Sequence, residues 1–255
     1  MAKYRSLGLR KNVLKKSNVS IDKKILEFNL TSITGINNSH NLKIPKKLTP
    51  DLAEEIGIHI GDGHLSKNRY RYKIFGNIDE SEYYTDFIMN LYKNLYNLDV
   101  KITKRNDNTI GFELCSKLLW MFKTEILGLE PGRKNNIGVP KIILNSNQNI
   151  LRAFIRGFFD TDGNVYFQSR YEYKKYYPLL TFTLKSKKLN DCIKDILNLL
   201  GFKISLYRYK RDGCFSIQLY GYDNILKYAH EIGWHNNKHM KKFLEWIEKY
   251  PNLCK

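Results

Sequence analysis

The chain is short of acids relative to its bases and short of cysteines for its length. Cys115, Cys192, Cys214 and Cys254 stand far apart with no C-x-x-C pair, so they read as reduced, mostly buried thiols rather than a disulfide framework. No secretory apolar segment opens the sequence, and no apolar run approaches the ~18 residues that a membrane span requires. The expectation is an intracellular chain with no membrane partner, in a prokaryotic cytoplasm or nucleoid. The lack of any acid before Asp22 leaves an organellar transit peptide, for a mitochondrion or chloroplast, as the alternative.

What is present is a globular composition, 42% hydrophobic and 27% charged over 255 residues, enough for two domains or for one domain of two similar halves. Lys and Arg outnumber Asp and Glu by 43 to 25, a formal charge of +18. Self-repulsion of that size is ordinarily neutralised by a polyanion, which makes nucleic acid the leading partner; a basic, well-solvated surface is the alternative. Residues 1–47 hold 11 Lys or Arg against 2 acids, an arm suited to DNA phosphate or a solvated tail. The polar stretch Thr31 to Asn41 reads as a linker.

The sequence is written twice. Leu52 to Gly63 reads LAEEIGIHIGDG and Leu151 to Gly163 reads LRAFIRGFFDTDG, so that Gly57, Asp62 and Gly63 recur at Gly157, Asp162 and Gly163. Ile44-Pro45-Lys46 and Val139-Pro140-Lys141 precede the two copies. Strand-like pairs follow: Lys101-Ile102-Thr103 with Lys203-Ile204-Ser205, and Phe112-Glu113-Leu114 with Phe215-Ser216-Ile217. Alternating runs at Tyr70 to Phe75 and Leu180 to Leu184 read as strands, and Asp79 to Tyr96 and Lys187 to Leu200 as helices. Closing helices stop at Gly128 and Gly233. The fold class is therefore α+β, with a basic extension (1–43) and two pseudo-twofold-related halves (44–138 and 139–255), each helix, two strands, helix, two strands, helix.

The first repeated helix starts with Thr49 as N-cap and Pro50 at its first position; Asn147 or Asn149 caps the second, and Gly63 and Gly163 suit a C-terminal cap. Gly57 and Gly61 share one helix face, as do Gly157 and Thr161. Interior glycines cost about 1 kcal/mol each relative to Ala, so two matched sets imply a close helix-helix seam between the halves. Asp62 and Asp162 then stand at the negative ends of the helix dipoles, where a carboxylate is disfavoured by roughly 0.3 to 1 kcal/mol. If the helices meet along the small faces, the two carboxylates also repel each other. A divalent cation, Mg²⁺ for choice, relieves both, and paired carboxylates holding metal against phosphates can hydrolyse phosphodiesters. A single Asp-Gly is ordinarily a turn; recurrence in register argues otherwise. Gly61 and Thr161 are counted with the metal-site positions. Asp160 has no acidic counterpart at Ile60, and is expected to support the site or to be solvated. His59 and His64 lack copies in the second half and read as packing or DNA-contacting residues. His235 and His239 have metal spacing but no third ligand.

At these residues the chain resembles the LAGLIDADG homing endonucleases in their single-chain, two-motif form. EIGIHIGDG and IRGFFDTDG resemble the two motif copies, and the likeness runs over about residues 44 to 250. It implies a monomer, a saddle of antiparallel strands over duplex DNA, and Asp62 and Asp162 as metal-binding catalytic residues. It further implies two or three Mg²⁺ ions, with Mn²⁺ or Ca²⁺ substituting in binding, and cleavage of both strands to 3′ overhangs. Auxiliary Lys or Gln residues near the metals are placed on Lys185 and Asn77, which could equally be ordinary polar residues at strand ends. An intron maturase with an RNA partner, and a non-cleaving DNA-binding regulator, are the alternatives within this resemblance.

The expected DNA-reading surface comprises Lys67, Arg69, Arg71 and Lys73 in the first hairpin and Arg170, Lys174 and Lys175 in its partner. The later hairpins supply Lys101, Lys104, Arg105, Arg208, Lys210 and Arg211, and Lys134 and Lys238 follow the closing helices. Arg69, Arg71 and Lys73 alternate and so share a face. The halves differ at nearly every basic position, so the target is expected to be asymmetric.

Overall fold

The structure, a computed structural model, describes residues 27–170 and 173–250, with only the backbone of residues 170 and 173–176. The first half runs α1 (Pro50–Asp62), β1 (Gly63–Leu65), β2 (Arg71–Asn77), α2 (Met89–Tyr96), β3 (Thr103–Lys104), β4 (Thr109–Cys115) and α3 (Lys117–Met121). A 3-10 turn (Ile78–Glu80) and a π-helical stretch (Tyr83–Ile88) lead into α2, and a second π-helical stretch (Phe122–Ile126) extends α3. A short α4 (Lys141–Leu144) precedes the second half: α5 (Gln148–Asp162), β5 (Gly163–Arg170), β6 (Tyr173–Leu184), α6 (Lys187–Leu199), β7 (Ser205–Arg208), β8 (Phe215–Tyr220) and α7 (Tyr222–Glu231). An added helix, α8 (Asn237–Lys249), ends the described chain.

The two halves form separate four-stranded antiparallel sheets of identical order, β1-β2-β4-β3 and β5-β6-β8-β7. Registers agree as well: Gly63 pairs with Ile74 as Gly163 pairs with Phe182, and Ile74 pairs with Phe112 as Phe182 pairs with Ile217. In the first sheet Tyr72, Ile74, Ile110 and Phe112 are buried, while Arg71, Lys73 and Glu113 face outward. Period-two alternation thus leaves one face of the sheet on the helices and the other free.

The seam between the halves is the contact of α1 with α5. A Cβ placed on Gly57 would fall well inside 3.0 Å of Phe154 O, and one on Gly157 well inside 3.0 Å of Glu54 O. At Gly61 the obstructing atoms belong to Thr161, whose hydroxyl donates to Phe158 O at 3.0 Å within its own helix. The interface predicted for Gly57, Gly61, Gly157 and Thr161 therefore forms, backbone against backbone at Gly57 and Gly157 and with the Thr161 side chain against Gly61. Both helices start as expected: Thr49 Oγ1 accepts from Leu52 N (3.2 Å) and Asn147 Oδ1 from Ile150 N (3.1 Å).

Two expectations are corrected. Gly63 and Gly163 close their helices in extended backbone, at φ −76° and −85°, because each chain passes directly into a strand. They are glycine for lack of space, since a Cβ would lie less than 3.0 Å from His59 or Phe159. The left-handed caps are instead at Gly128 (φ +73°) and Gly233 (φ +69°), where the closing helices end. Residues 27–43, set outside the first half by sequence, pack onto it. Ile33 and Leu42 are buried, Phe28 N donates to Lys46 O, and Lys43 N donates to Tyr96 O. The polar run from Thr31 to Asn41 hid its apolar anchors, the buried Ile33 and the partly buried Ile36. The basic arm before residue 27 and Cys254 lie outside the described residues.

Gly157→Ala is expected to force α1 and α5 apart and to lower the melting temperature by about 3 to 10 °C, from an overpacking cost of roughly 1–3 kcal/mol. Gly201→Ala, at an open loop position with only the tip of Lys227 within 4 Å, tests its left-handed backbone alone. Equal thermal melts for Gly157→Ala and the unaltered chain would mean that the seam has slack.

Candidate functional site

Because α1 and α5 touch along their small faces, their C-terminal residues arrive together at one end of the seam. The carboxyl carbon of Asp162 lies 3.5 Å from where a Gly61 Cβ would stand. Asp62 is half-buried, and Asp162 is exposed to solvent. Removal from water raises both carboxyls, Asp62 to about 7 and Asp162 to about 6. The charge of Asp162 is the second cause for Asp62, and Glu80 adds to both. The repulsion anticipated from the repeat is thus built in.

Three further side chains complete the site. Tyr84 Oη donates to Asp62 Oδ2 at 2.9 Å. Lys134 Nζ donates to the carbonyls of His59 (2.9 Å), Ile60 (3.0 Å) and Gly61 (2.6 Å), the last turn of α1, where the helix presents its negative end. Burial lowers the Lys134 ammonium to about 8, against the opposing pull of Asp162 and Asp62. Glu80, buried, accepts from Lys238 Nζ at 3.1 Å, and its Oε2 and Asp62 Oδ2 both lie within 3.1 Å of a Cβ placed on Gly76. Lys134 and Lys238 are therefore corrected from the DNA surface to the carboxylate cluster: both turn toward acceptors that burial leaves in need of a cation.

The oxygen-only donors, two carboxylates brought together against their own repulsion, suit a hard divalent cation. Thr161 spends its hydroxyl on its own helix, and Gly61 offers its carbonyl to Lys134, so the aspartates are the ligands of first resort. Asn77 ends β2 and Lys185 directly follows β6, and both are exposed. Asn77 Oδ1 accepts from Asp79 N at 2.9 Å, and Lys185 lies near the Cys214 thiol. Neither is among the charged or hydrogen-bonding neighbours of the aspartates. Tyr84 and Glu80 escaped the sequence reading because they lie in the turn and π-helical stretch after β2, where no repeat marks them.

Asp160 is neither solvated nor beside the metal ligands. It is fully buried and accepts from His235 N (2.8 Å) and Asn236 N (3.2 Å), while His235 Nδ1 lies 2.6 Å from Glu54 Oε1 and Arg156 Nη2 2.5 Å from Glu54 Oε2. Ligand atoms of Glu54, Asp160 and His235 lie within 4.8 Å of one another. With the Arg156 guanidinium already on Glu54, this is a closed charge network joining the halves. His59 is a packing residue, stacked on Tyr72 at 5.6 Å. His239 is buried, and burial lowers its ring to about 3.

On the outward face of the first sheet Glu113 joins basic residues of both hairpins, at 3.3 Å from Arg105 Nη2 and 3.9 Å from Arg71 Nη1, and Arg105 stacks 3.5 Å over the Phe75 ring. Lys67, Arg69, Lys101, Lys104, Arg208, Lys210 and Arg211 are exposed. Lys67 lies along Gly132, and Arg208 sits 5.4 Å over the Phe215 ring. The side chains of Arg170, Lys174 and Lys175 lie outside the described residues.

Stability follows from the raised carboxyls. A folded-state value above the unfolded one means that the native state holds its proton longer, so stability is lost as pH rises from about 4 through about 7. Asp62→Asn is expected to remove most of that slope and, in chelator at about pH 8, to stabilise the chain by on the order of 1–3 kcal/mol; solvent screening makes the Asp162 effect smaller. Thermal melts across this range check it, and a flat profile for the unaltered chain would contradict it.

Comparisons agree with this geometry. Residues 149–233 match the family model of the LAGLIDADG-like domain. Two relatives come from Methanocaldococcus jannaschii: a glutamine--fructose-6-phosphate aminotransferase, 31% identical over 125 residues (49% of this chain, 11% of the relative), and a replication factor C small subunit, 27% identical over 236 residues (84% of this chain, 12% of the relative). The chain thus spans about a tenth of the length of these relatives. Among solved structures, the homing endonuclease I-DmoI in complex with DNA and Mn superposes with a TM-score of 0.51 at 21% identity, covering 72% of this chain and 96% of that one. The family model covers the second motif, so the chain carries a LAGLIDADG-like domain at residues 149–233, and the same fold is repeated around the first motif.

Proposed function

We propose that the chain is a site-specific endonuclease that cuts both strands of a long, asymmetric DNA duplex with divalent metal. The observation that carries this reading is the meeting of Asp62 and Asp162 at the end of the glycine seam, beside Lys134. Divalent metal, Mg²⁺ in the first instance, would be held by Asp62 and Asp162 and would activate water and stabilise the leaving oxygen. I-DmoI, a neighbour in fold, is a homing endonuclease solved with DNA and Mn. The relatives' aminotransferase and replication activities are not carried over, because unrelated enzymes share only this tenth of their length with the chain.

The protein's own residues do three things. Lys134, with its ammonium lowered to about 8, is a proton carrier in the working range of an enzyme, next to both carboxylates. Tyr84 orients Asp62 through its hydroxyl. The outward basic residues of the two sheets take the phosphates, and because Arg71, Lys73 and Arg105 have different residues at the matching positions of the second sheet, the duplex they fit is not palindromic. Both motifs reside in one chain, so a monomer suffices. A regulator that only bound DNA would have no use for two repelling carboxylates facing phosphate.

The test is incubation with Mg²⁺ and a randomised duplex library, followed by sequencing of cut ends. A defined site with paired strand breaks is expected, and Asp162→Asn should abolish double-strand cutting while leaving affinity within a few-fold; a variant cutting at the full rate would overturn the assignment. Affinity should also fall by roughly three orders of magnitude between about 50 and about 200 mM salt, as counterions compete for phosphate. A shallow dependence in a binding titration would rule out a long phosphate-contacting face.

A further inference from the structure

The network of Glu54, Asp160, Arg156 and His235 is balanced in charge but not in hydrogen bonds. Asp160 is fully buried, and the backbone N–H groups of His235 and Asn236 both go to its Oδ2. Its Oδ1 has no hydrogen-bond partner among the described residues, and neither does Arg156 Nε, although both atoms are shut off from solvent. The hydroxyls of Tyr83 and Tyr228, one from each half, are buried and unpartnered as well. Burial first, and then the charge of Asp160, pushes both phenols well above their ordinary range, which places them near the same carboxylate. Buried polar atoms without a partner are rare, so four of them gathered around one carboxylate need an account beyond packing.

Three of these residues carry metal-binding atoms. Ligand atoms of Glu54, Asp160 and His235 lie within 4.8 Å of one another, and His235 Nδ1 is 2.6 Å from Glu54 Oε1. Tetrahedral zinc, with its donors ~2.0–2.2 Å away, sets them about 3.3 Å apart, between these two separations. Arg156 does not block the position, because it takes Glu54 Oε2 and leaves Oε1 to His235. A guanidinium on the far oxygen of a ligating carboxylate is the kind of outer hydrogen bond that fixes metal ligands. His235 is the member able to adjust: it lies between α7 and α8, is partly exposed, and stacks on the Phe87 ring at 4.2 Å. In sequence the His235 and His239 spacing lacked a third ligand because the partners are remote, Asp160 at 75 residues and Glu54 at 181. His239 stays outside the cluster, its ring edge-on to Phe159 at 5.1 Å. One imidazole with two carboxylates selects a cation such as Zn²⁺ over Mg²⁺, which keeps to oxygen.

We propose that Glu54, Asp160 and His235 form a second metal site, for Zn²⁺ or a cation of its class, that staples the two halves together and is distinct from the paired aspartates. Zinc takes the place of the proton held between His235 Nδ1 and Glu54 Oε1, which is released to solvent, and Asp160 Oδ1 gains a partner. One ligand comes from α1, one from α5 and one from the segment before α8, so the bound ion crosses the seam. The fourth position falls to water on the side where His235 meets solvent. The role is structural, and it does not rest on the nuclease reading.

The experiment measures Zn²⁺ binding by the full chain carrying Asp62→Asn and Asp162→Asn, which removes the paired carboxylates as ligands. Equilibrium dialysis in excess Mg²⁺ should find one Zn²⁺ per chain. The melting temperature should rise by about 5 to 10 °C at free zinc roughly a hundredfold above the dissociation constant. Co²⁺ in place of Zn²⁺ should give the visible absorption of a low-symmetry site. Adding His235→Asn should weaken zinc binding by more than about a hundredfold, since even the outer partners of metal ligands are worth 10–100-fold. Asp160→Asn, whose side-chain oxygen still accepts the two backbone N–H groups, should do the same, and it decides the matter if His235→Asn fails to fold. No zinc uptake by the folded parent, or uptake unchanged by both substitutions, overturns the proposal and leaves the nuclease reading standing. Uptake by the unaltered chain that vanishes with Asp62→Asn and Asp162→Asn assigns the zinc to the paired aspartates and overturns it too.

Discussion

The contact between α1 and α5 is the constraint on which the rest depends. Two helices with side chains between them pack with axes 8–10 Å apart; here Gly57 and Gly157 leave each backbone against the other's carbonyls. That approach sets the positions of everything beyond it. The residues after Gly61 and Thr161 can only be neighbours, and a strand leaves each helix at once, at Gly63 and at Gly163. The site and the two sheets are thus consequences of one packing decision written in four small residues.

Such a seam concentrates negative charge. Two helix C-termini and two carboxylates converge, and the sequence answers with cations drawn from a distance: Lys134 onto the α1 carbonyls and Lys238 onto Glu80. A second charged cluster along the seam is handled differently. Glu54 meets Arg156 and His235, and Asp160 takes two backbone N–H groups at the start of α8, so charge there is closed off within the protein. In the core of the first half, Glu55 is likewise closed off by Lys123 and the hydroxyls of Tyr72, Tyr92 and Tyr96. Buried pairs of this kind contribute little net stability but specify which groups must meet. Asp62 and Asp162 stand apart in having repulsion left over and a route to solvent.

The repeat made most of the fold legible, because each copy checks the other. Element order, the α1 and α5 caps, the small-residue faces and the identity of Asp62 and Asp162 all follow from residues that recur in register. What could not be read is what occurs once. The anchors Ile33 and Leu42 lie in a polar stretch with no second copy. Helix α8 has its signal in Asn236 as cap and Phe243 and Trp246 three apart on the buried face, but two histidines in the same stretch drew attention to metal instead. Asp160 read as an acid near other acids, although its neighbours in space, His235 and Asn236, are 75 and 76 residues away in sequence.

The features outside the repeat are also those that distinguish the halves, and this has a chemical consequence. A perfectly duplicated protein would present two identical centres and two identical reading faces, matched to a palindrome. Every departure found here, Arg71 and Lys73 against Leu179 and Thr181, Glu55 against Ile155, and α8 with no counterpart among the described residues of the first half, falls on one side of the seam only. The seam itself is the part that kept its symmetry, since Gly57 cannot change without Phe154 O moving, nor Gly157 without Glu54 O. Side chains outside that contact were free to diverge. Divergence of the two halves is therefore what this architecture allows once both copies share a chain, because a change in one half no longer has to be tolerated in the other.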